Sequence, residues 1–536
     1  MTVAALSPAG SRAAANPWLV ATVVVVPTFM EVLDTTIALV ALRYIAGGLS
    51  ATADDGEWVI TSYLAANAVI LPITGWLSAH LGRRNYFLAS IAIFTLSSLL
   101  CGLAGSLGQL ILFRVIQGLA GGGLQPSSQG ILLDAFPREK QGAAMTLFGF
   151  AALIAPIVGP TLGGWITDSY SWRWIFLINV PVGLLALAGC HALLRDPDYL
   201  VTQRMELRKQ PFHFDSIGLS LLVIVMVSWE VMLSKGQEWD WLGDPFWRIQ
   251  TLAILAAVGL VGLVFWELRH RNPVVNFRAL GERNFAACCI IVFCAYLALF
   301  AATKSLLGLL QSLFGYDALR TGLVMSPSGI FAVIVMPIVG RLIGLRMDAR
   351  WLIGAGLLIM TAGNYWMSQL NLDISPGEAV WPRVLVVAGL AMCFAPANVA
   401  AYLYTPIALR GAAVGLLSLL RNEGGSVGVS LAQTFQERRD QFHTLRLGEY
   451  LDPFNAAANS FVAHTRAFFF QQTGDPVAAQ QLAWQQLENL LQQQSSALAY
   501  FDCFWMVAVL TLAVAFLVLF MKRSVAEKGG HTAPSE

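Results

Sequence analysis

Among the ionisable side chains inside long apolar stretches of this 536-residue chain are Glu31, Asp34, Arg114, Lys304 and Arg421. The two acids fall in MEVLDTTIALVAL (Met30–Leu42), directly after VATVVVVPTF (Val20–Phe29). An ionised acid near a bilayer centre costs at least about 2.5–3.5 kcal/mol on insertion scales, so an acid kept there usually serves a function. Three residues apart on a helix, Glu31 and Asp34 share a face. The chemistry they offer is proton binding. Burial raises a carboxyl's proton affinity and a neighbouring cation lowers it, so an acid balanced between the two can take a proton on one side and release it on the other. At 1.5 Å per residue from Trp18, Asp34 lies about 24 Å along its helix, and Arg114 lies about 10 Å from the matching end of its own. Two readings stay open for that pair: a tuned coupling acid, or a structural ion pair that fixes helix packing. A soluble core helix whose acids reach water at its end is a third.

The elements that position these groups decide against the soluble reading. Hydrophobic residues make up 57% of the chain and charged residues 12%, about half the charged fraction usual in soluble domains. A net charge of +1 argues for no nucleic-acid partner. Apolar runs recur at the length of about 20 residues that crosses about 30 Å of hydrocarbon. An all-α polytopic membrane protein is expected, with fourteen helices near 17–41, 57–79, 84–106, 108–131, 141–166, 173–194, 215–234, 248–267, 285–312, 320–341, 350–370, 379–404, 408–433 and 500–521. The first is too long for a cleaved signal peptide. If both termini are cytoplasmic, inward segments hold 20 Arg and Lys and short outward loops hold six, Arg383 and Lys235 among them; that bias sets the orientation.

An internal repeat organises the spans. LPITGWL (Leu71–Leu77) returns as MPIVGRL (Met336–Leu342), and FRVIQGLAGG (Phe113–Gly122) as PRVLVVAGLA (Pro382–Ala391). GPTLGG (Gly159–Gly164) is echoed by EGGSVG ending at Gly428. The expected domains are therefore a tail (1–16), a six-helix bundle (17–194), linkers with two inserted helices (195–283), a second six-helix bundle (284–521) with a long outward loop (436–499), and a tail (522–536). Parallel six-helix halves are a secondary-transporter architecture, with the substrate site between the halves.

An ATP-driven pump needs a glycine-rich phosphate loop ending in Gly-Lys-Ser/Thr. Lys304 alone among the lysines precedes Ser or Thr, and Thr303 stands where the glycine is required. The histidines never take a metal-ligand spacing, and the seven cysteines fall within or at the edges of spans. No metal or other cofactor and no enzymatic activity are expected. A carrier driven by a gradient, or a channel, remains; the repeat favours the carrier.

At these residues the chain resembles the fourteen-helix drug:proton antiporters of the major facilitator superfamily, the EmrB/QacA type, and its EmrB-like members in particular. The helix-1 motif appears as LDTTIALVAL (Leu33–Leu42), with Leu39 and Arg43 replacing the usual asparagine and closing proline. The helix-4 motif is intact as Arg114, Gln117 and Gly118; the resemblance implies a role for Arg114 in proton transfer. The antiporter motif of helix 5 is Gly159, Pro160, Gly163 and Gly164 with Thr161 and Leu162 between, and WRWIFLINVP (Trp172–Pro181) also matches. The loop between helices 2 and 3 departs: Gly75, Gly82, Arg83 and Arg84 are present, but Ala79 replaces the acid, which puts an acid-mediated latch between the halves in doubt.

The resemblance implies major facilitator architecture in a bacterial inner membrane, export of hydrophobic or amphipathic toxic compounds with the proton gradient as energy source, and a periplasmic adaptor with an outer-membrane channel as partners. A dedicated exporter of an organic acid or metabolite, or an uncoupled channel, is the alternative. Lys304 and Arg421 are candidates for a substrate pocket, where Lys304 either attracts an anionic head group or snorkels to the interface. The stretch Ala478–Gln494, with Leu482, Leu487, Leu490 and Leu491 at roughly helical spacing, predicts an amphipathic helix that docks on an adaptor or on the transporter itself.

Overall fold

Pro17 opens α1 (Pro17–Gly48), where its missing N–H is an orphan in any helix, and the Asn16 side chain caps it by accepting from the Trp18 amide at 3.0 Å. The structure, a computed structural model, describes residues 16–524 except 138–139, 210–214, 271–272, 407–408 and 453. Nearly all of the two expected tails therefore lies outside the described residues. After α1 come α2 (Ala53–Gly56), α3 (Trp58–Leu81), α4 (Arg83–Leu103), α5 (Leu107–Gly121) running on into α6 (Leu124–Ala135), α7 (Gln141–Ser169), α8 (Trp174–Leu177) and α9 (Asn179–Leu193). α10 (Asp198–Lys209) leads to the inserted pair α11 (Ser216–Lys235) and α12 (Arg248–Arg269). The second half holds α13 (Arg283–Gly308), α14 (Ala318–Met325), α15 (Pro327–Gly344), α16 (Ala349–Ser368), α17 (Pro376–Leu403), α18 (Arg410–Gly448), α19 (Ala456–Thr473) and α20 (Pro476–Leu517).

All fourteen expected segments are helical. Among the described residues, 11 helices or collinear runs are long and apolar enough to cross a membrane, and 12 if α7, bent by 41° between Gln141–Pro156 and Val158–Ser169, is one span. α16 and α18 occupy the eleventh and thirteenth places without reaching that apolarity; α18 carries Arg421, Asn422 and Glu423 in its middle. Fourteen spans are consistent with this architecture.

The repeat is visible in the packing. α1 lies on α7 as α13 lies on α18. A Cβ on Gly159 would sit 2.2 Å from Thr36 Oγ1, and one on Gly428 would sit 2.4 Å from the Leu297 carbonyl oxygen. Only glycine lets the backbones come this close. The halves meet where α3 faces α18 and where α7 faces α14 and α15. α11 packs on α3, α12 and α18, whereas α12 is the most peripheral span, with 22% of its apolar stretch buried; the rest faces lipid, as its exposed Val258 and Val261 require.

Three expectations need correction. Arg383 is not in a loop: it lies inside α17, 2% exposed, because the helix starts at Pro376. Lys235 ends α11 and is 1% exposed, bonded to Glu57 at 3.3 Å and to Glu238. The connection 436–499 is helical well beyond the expected Ala478–Gln494 stretch. No proline or glycine interrupts QERRDQFHTLRL, so α18 runs on to Gly448, and α20 begins at Pro476, well before the last span. The Ala478–Gln494 stretch is helical and packs on α19: Leu487 and Ala483 bury against Val462 and Phe461, while Leu490 is exposed. Asp502 ties this projection to α18 through Arg439 at 2.6 Å and His443 at 2.7 Å.

Candidate functional site

Asp34 is 2% exposed on α1 and fully enclosed by donors. Its Oδ2 accepts from Arg114 Nη1 at 2.5 Å; its Oδ1 accepts from Gln117 Nε2 at 3.1 Å and Asn179 Nδ2 at 2.7 Å. Arg114, 0% exposed, also donates through Nε to the Val59 carbonyl at 3.0 Å and through Nη1 to Gln117 Oε1 at 3.0 Å. Its guanidinium lies 4.2 Å from the Tyr63 ring centre and 5.5 Å from that of Phe176. Helices α1, α3, α5 and the start of α9 thus converge on one carboxylate. A buried pair of this kind leans on its further hydrogen bonds; here the amides of Gln117 and Asn179 meet those of the carboxylate, while Arg114 Nη2 has no acceptor among the described residues.

The local sequence explains the convergence. Gly118 lets α5 approach α3 so closely that a Cβ would sit 2.4 Å from the Tyr63 carbonyl oxygen. Gly159 and Gly163 press α7 on Thr36 and Ile37, just beyond Asp34. Pro160 cannot donate to the helix ladder, and α7 bends in this region. Gly164 is buried beside them, its carbonyl accepting from Thr167 at 3.1 Å.

Glu31 does not join the Asp34 cluster, although it lies one turn away. Its Oε1 accepts from Tyr63 and Asn67, both at 3.2 Å, and its Oε2 accepts from Gln125 at 2.7 Å. All three donors are neutral. Its partners lead across to the other half. Asn67 accepts from Asn422 Nδ2 at 3.0 Å, and Gln125 accepts from Arg421 Nη1 at 3.4 Å. Arg421, 2% exposed, sits among aromatic rings, 5.1 Å from Phe394 and 5.7 Å from Tyr296. With the Gln129 amide turned so that its oxygen faces the guanidinium, it accepts from both terminal nitrogens at 3.1 and 3.3 Å.

Between the halves lies a cavity of about 220 Å³. Glu31, Gln125, Arg421, Lys304, Tyr296 and Glu230 are on its wall, and it runs toward Leu42 and Glu57. Asp34 and Arg114 are not on it. Lys304 is exposed to the cavity and makes no ion pair among the described residues. At the opposite end the halves close on each other: a Cβ on Gly75 would lie 2.9 Å from the Gly411 carbonyl carbon, and one on Gly415 would lie 2.9 Å from the Leu71 carbonyl oxygen.

The arginines after α3 do not latch the halves. Gly82 turns the chain at φ 89°. Arg83 pairs with Asp134 and donates to the Gly130 carbonyl at 3.1 Å; Arg84 donates to the carbonyls of Leu194 and His191, both at 2.9 Å. All of these partners belong to the first half. With Ala79 in place of the acid, the cross-half contact described at this end is the close packing of Gly75 on Gly411.

Comparison with known proteins places this architecture. The Major Facilitator Superfamily profile matches residues 25–429. The chain belongs to the major facilitator superfamily. Among curated relatives, this facilitator is 36% identical over 509 residues to the multidrug export protein EmrB of Escherichia coli strain K12, covering 94% of the chain and 95% of the relative. It is 36% identical over 439 residues to the fatty acid resistance protein FarB of Neisseria gonorrhoeae, covering 81% and 84%. Its fold matches the proton:xylose symporter XylE with a TM-score of 0.58 at 14% identity, over 95% of this chain and 97% of that one.

Sequence reading missed Tyr63, Asn67, Gln125 and Asn179, whose neutral side chains carry no alarm within apolar helices. It also passed over Glu230 and Glu423, which burial inside α11 and α18 makes conspicuous. The signal was there: each is a carboxylate in a predicted span.

Proposed function

We propose that this facilitator exports hydrophobic or amphipathic toxic compounds from a bacterial cytoplasm across the inner membrane, in exchange for protons bound at Asp34. The observation that carries this reading is the division of labour between the acids of α1. Asp34 is enclosed by Arg114, Gln117 and Asn179, away from the cavity, whereas Glu31 lines the cavity and connects to Arg421 through Gln125. Protonating Asp34 releases Arg114 from its ion pair, and α1 carries that change one turn to Glu31 and the substrate space. The names of the relatives, a multidrug exporter among them, support the substrate class. The bias of basic residues supports cytoplasmic termini, which makes the closed Gly75–Gly411 end cytoplasmic and the Glu57 end periplasmic. The projection of α18, α19 and α20 then stands in the periplasm, where an adaptor leading to an outer-membrane channel would meet it.

A second reading, export of an amphipathic acid, is favoured by Arg421 and Lys304 on the cavity wall and by the likeness to a fatty acid resistance protein. The deciding experiment is Asp34→Asn in proteoliposomes with an imposed pH gradient. The variant should fold, bind substrate and lose gradient-driven export; undiminished proton-coupled export would overturn the assignment.

A further inference from the structure

Glu230 of α11 and Glu423 of α18 are 3% and 6% exposed where the two helices pack, and Ser426, one turn after Glu423, reaches Glu230, so the two acids stand on facing turns. Glu230 accepts from Ser426 at 3.1 Å. Neither oxygen of Glu423 has a well-formed hydrogen bond among the described residues; the Trp229 indole and the Glu230 carboxyl are what face it. Two carboxylates facing each other in a low-dielectric setting oppose each other's ionisation, and a protonated one can donate to its neighbour.

The charged groups on the surrounding elements have partners elsewhere or face the cavity. Arg421, two residues before Glu423, turns to Gln125 and Asn398. Lys304 of α13 lines the same cavity without an ion pair, and Glu57 before α3 is bonded to Lys235. On α12, Glu267 accepts from the Val275 amide near Asp215, at the far end of α11. Glu31 of α1 has its three neutral donors. Glu230 itself is on the cavity wall, so a proton or a cationic group in the cavity can reach the pair.

We propose that Glu230 and Glu423 share one proton and form a second proton-binding site, separate from Asp34, from which an aromatic cation entering the cavity displaces the proton. The proton leaves the shared O–H for water in the cavity, and the cation's positive charge takes its place beside two carboxylates. The aromatic wall at Tyr296 and Phe300 supplies the apolar and cation–π contacts such a ligand needs. The site also accounts for the inserted helix α11, which carries one half of a proton site whose other half is on the second bundle.

The test uses the full chain purified in lipid nanodiscs, with tetraphenylphosphonium as the probe. Proton release on binding is read with a pH dye in weak buffer, and affinity is measured across pH. The native protein should release about one proton per cation bound, its affinity rising about tenfold per pH unit while the pair is protonated. Glu423→Gln and Glu230→Gln should each abolish the release and flatten the pH dependence. Their melting temperatures should stay at or above the native value, because a glutamine amide can donate to the remaining acid. Asp34→Asn should keep the release while losing gradient-driven export, which separates this site from the Asp34 assignment. Undiminished release from both glutamine variants, or its loss in Asp34→Asn alone, would overturn the proposal. If Glu423→Gln cannot be purified, Glu230→Gln decides alone by the same criterion.

Discussion

Thr303 stands to Arg383 as Asp34 stands to Arg114. Each arginine lies 80 residues after its partner, on the equivalent helix of its half, and each donates to it: Arg114 to a carboxylate at 2.5 Å, Arg383 to a hydroxyl at 2.7 Å. The second half has the guanidinium without the acid. Arg383 is 2% exposed, and its Nε and Nη1 have no acceptor among the described residues. An arginine cannot shed its charge to escape this.

Restoring the missing acid should therefore stabilise the second half. Thr303→Asp is expected to raise unfolding stability in detergent by about 1–3 kcal/mol, the penalty of an unmet buried donor, read as a higher melting temperature. The mirror change, Asp34→Thr, should not be benign. It leaves Arg114 buried without a carboxylate, and loss of one partner of such a pair costs about 3–5 kcal/mol. A lower melting temperature for Thr303→Asp would mean that the space at Arg383 cannot take a carboxylate.

Gly75 and Gly411 carry the closed end. Gly75→Leu places a branched side chain where even a Cβ would be 2.9 Å from backbone, so α3 and α18 must separate. Arg83 and Arg84 keep their partners in the first half, so the bundle itself should hold. Export is expected to fall about tenfold or more, because the alternation between closed and open ends is lost. Cross-linking of cysteines introduced at the α3 and α18 ends should drop in parallel.

Lys304 separates the two substrate readings. If an acidic head group approaches it, Lys304→Ala should weaken binding of an anionic amphiphile about tenfold, or about 1.4 kcal/mol, and spare cationic compounds. Equal losses for both charge types would point to packing. Binding titrations with matched anionic and cationic amphiphiles decide.

Asp244, in the connection between α11 and α12, offers a pH prediction outside the spans. Hydrogen bonding from the Arg248 guanidinium, with further bonds from the amides of Phe246 and Arg248, holds its carboxyl down at about 2. A depressed folded-state value means the contribution is fully present above the ordinary carboxylate range and is lost only as pH falls through about 2. The fluorescence of Trp241 and Trp247 should therefore stay constant from neutral pH to mildly acid conditions. Asp244→Asn should shift it at every pH.

The membrane class, the helix positions, the repeat and the pairing of Asp34 with Arg114 were legible in the chain. Each rests on local physics: twenty-residue apolar runs admit only helices in lipid, and a charge within them needs a partner at its own depth. What the sequence could not say is which way each side chain turns. Glu31 and Asp34, one helical turn apart, part company because α5 and α9 present a guanidinium and amides to one, while α3 and α6 present a phenol and amides to the other. Depth can be counted along a helix, but azimuth is set by how neighbours pack. For the same reason Glu230 and Glu423, nearly two hundred residues apart, came to face each other only where α11 met α18.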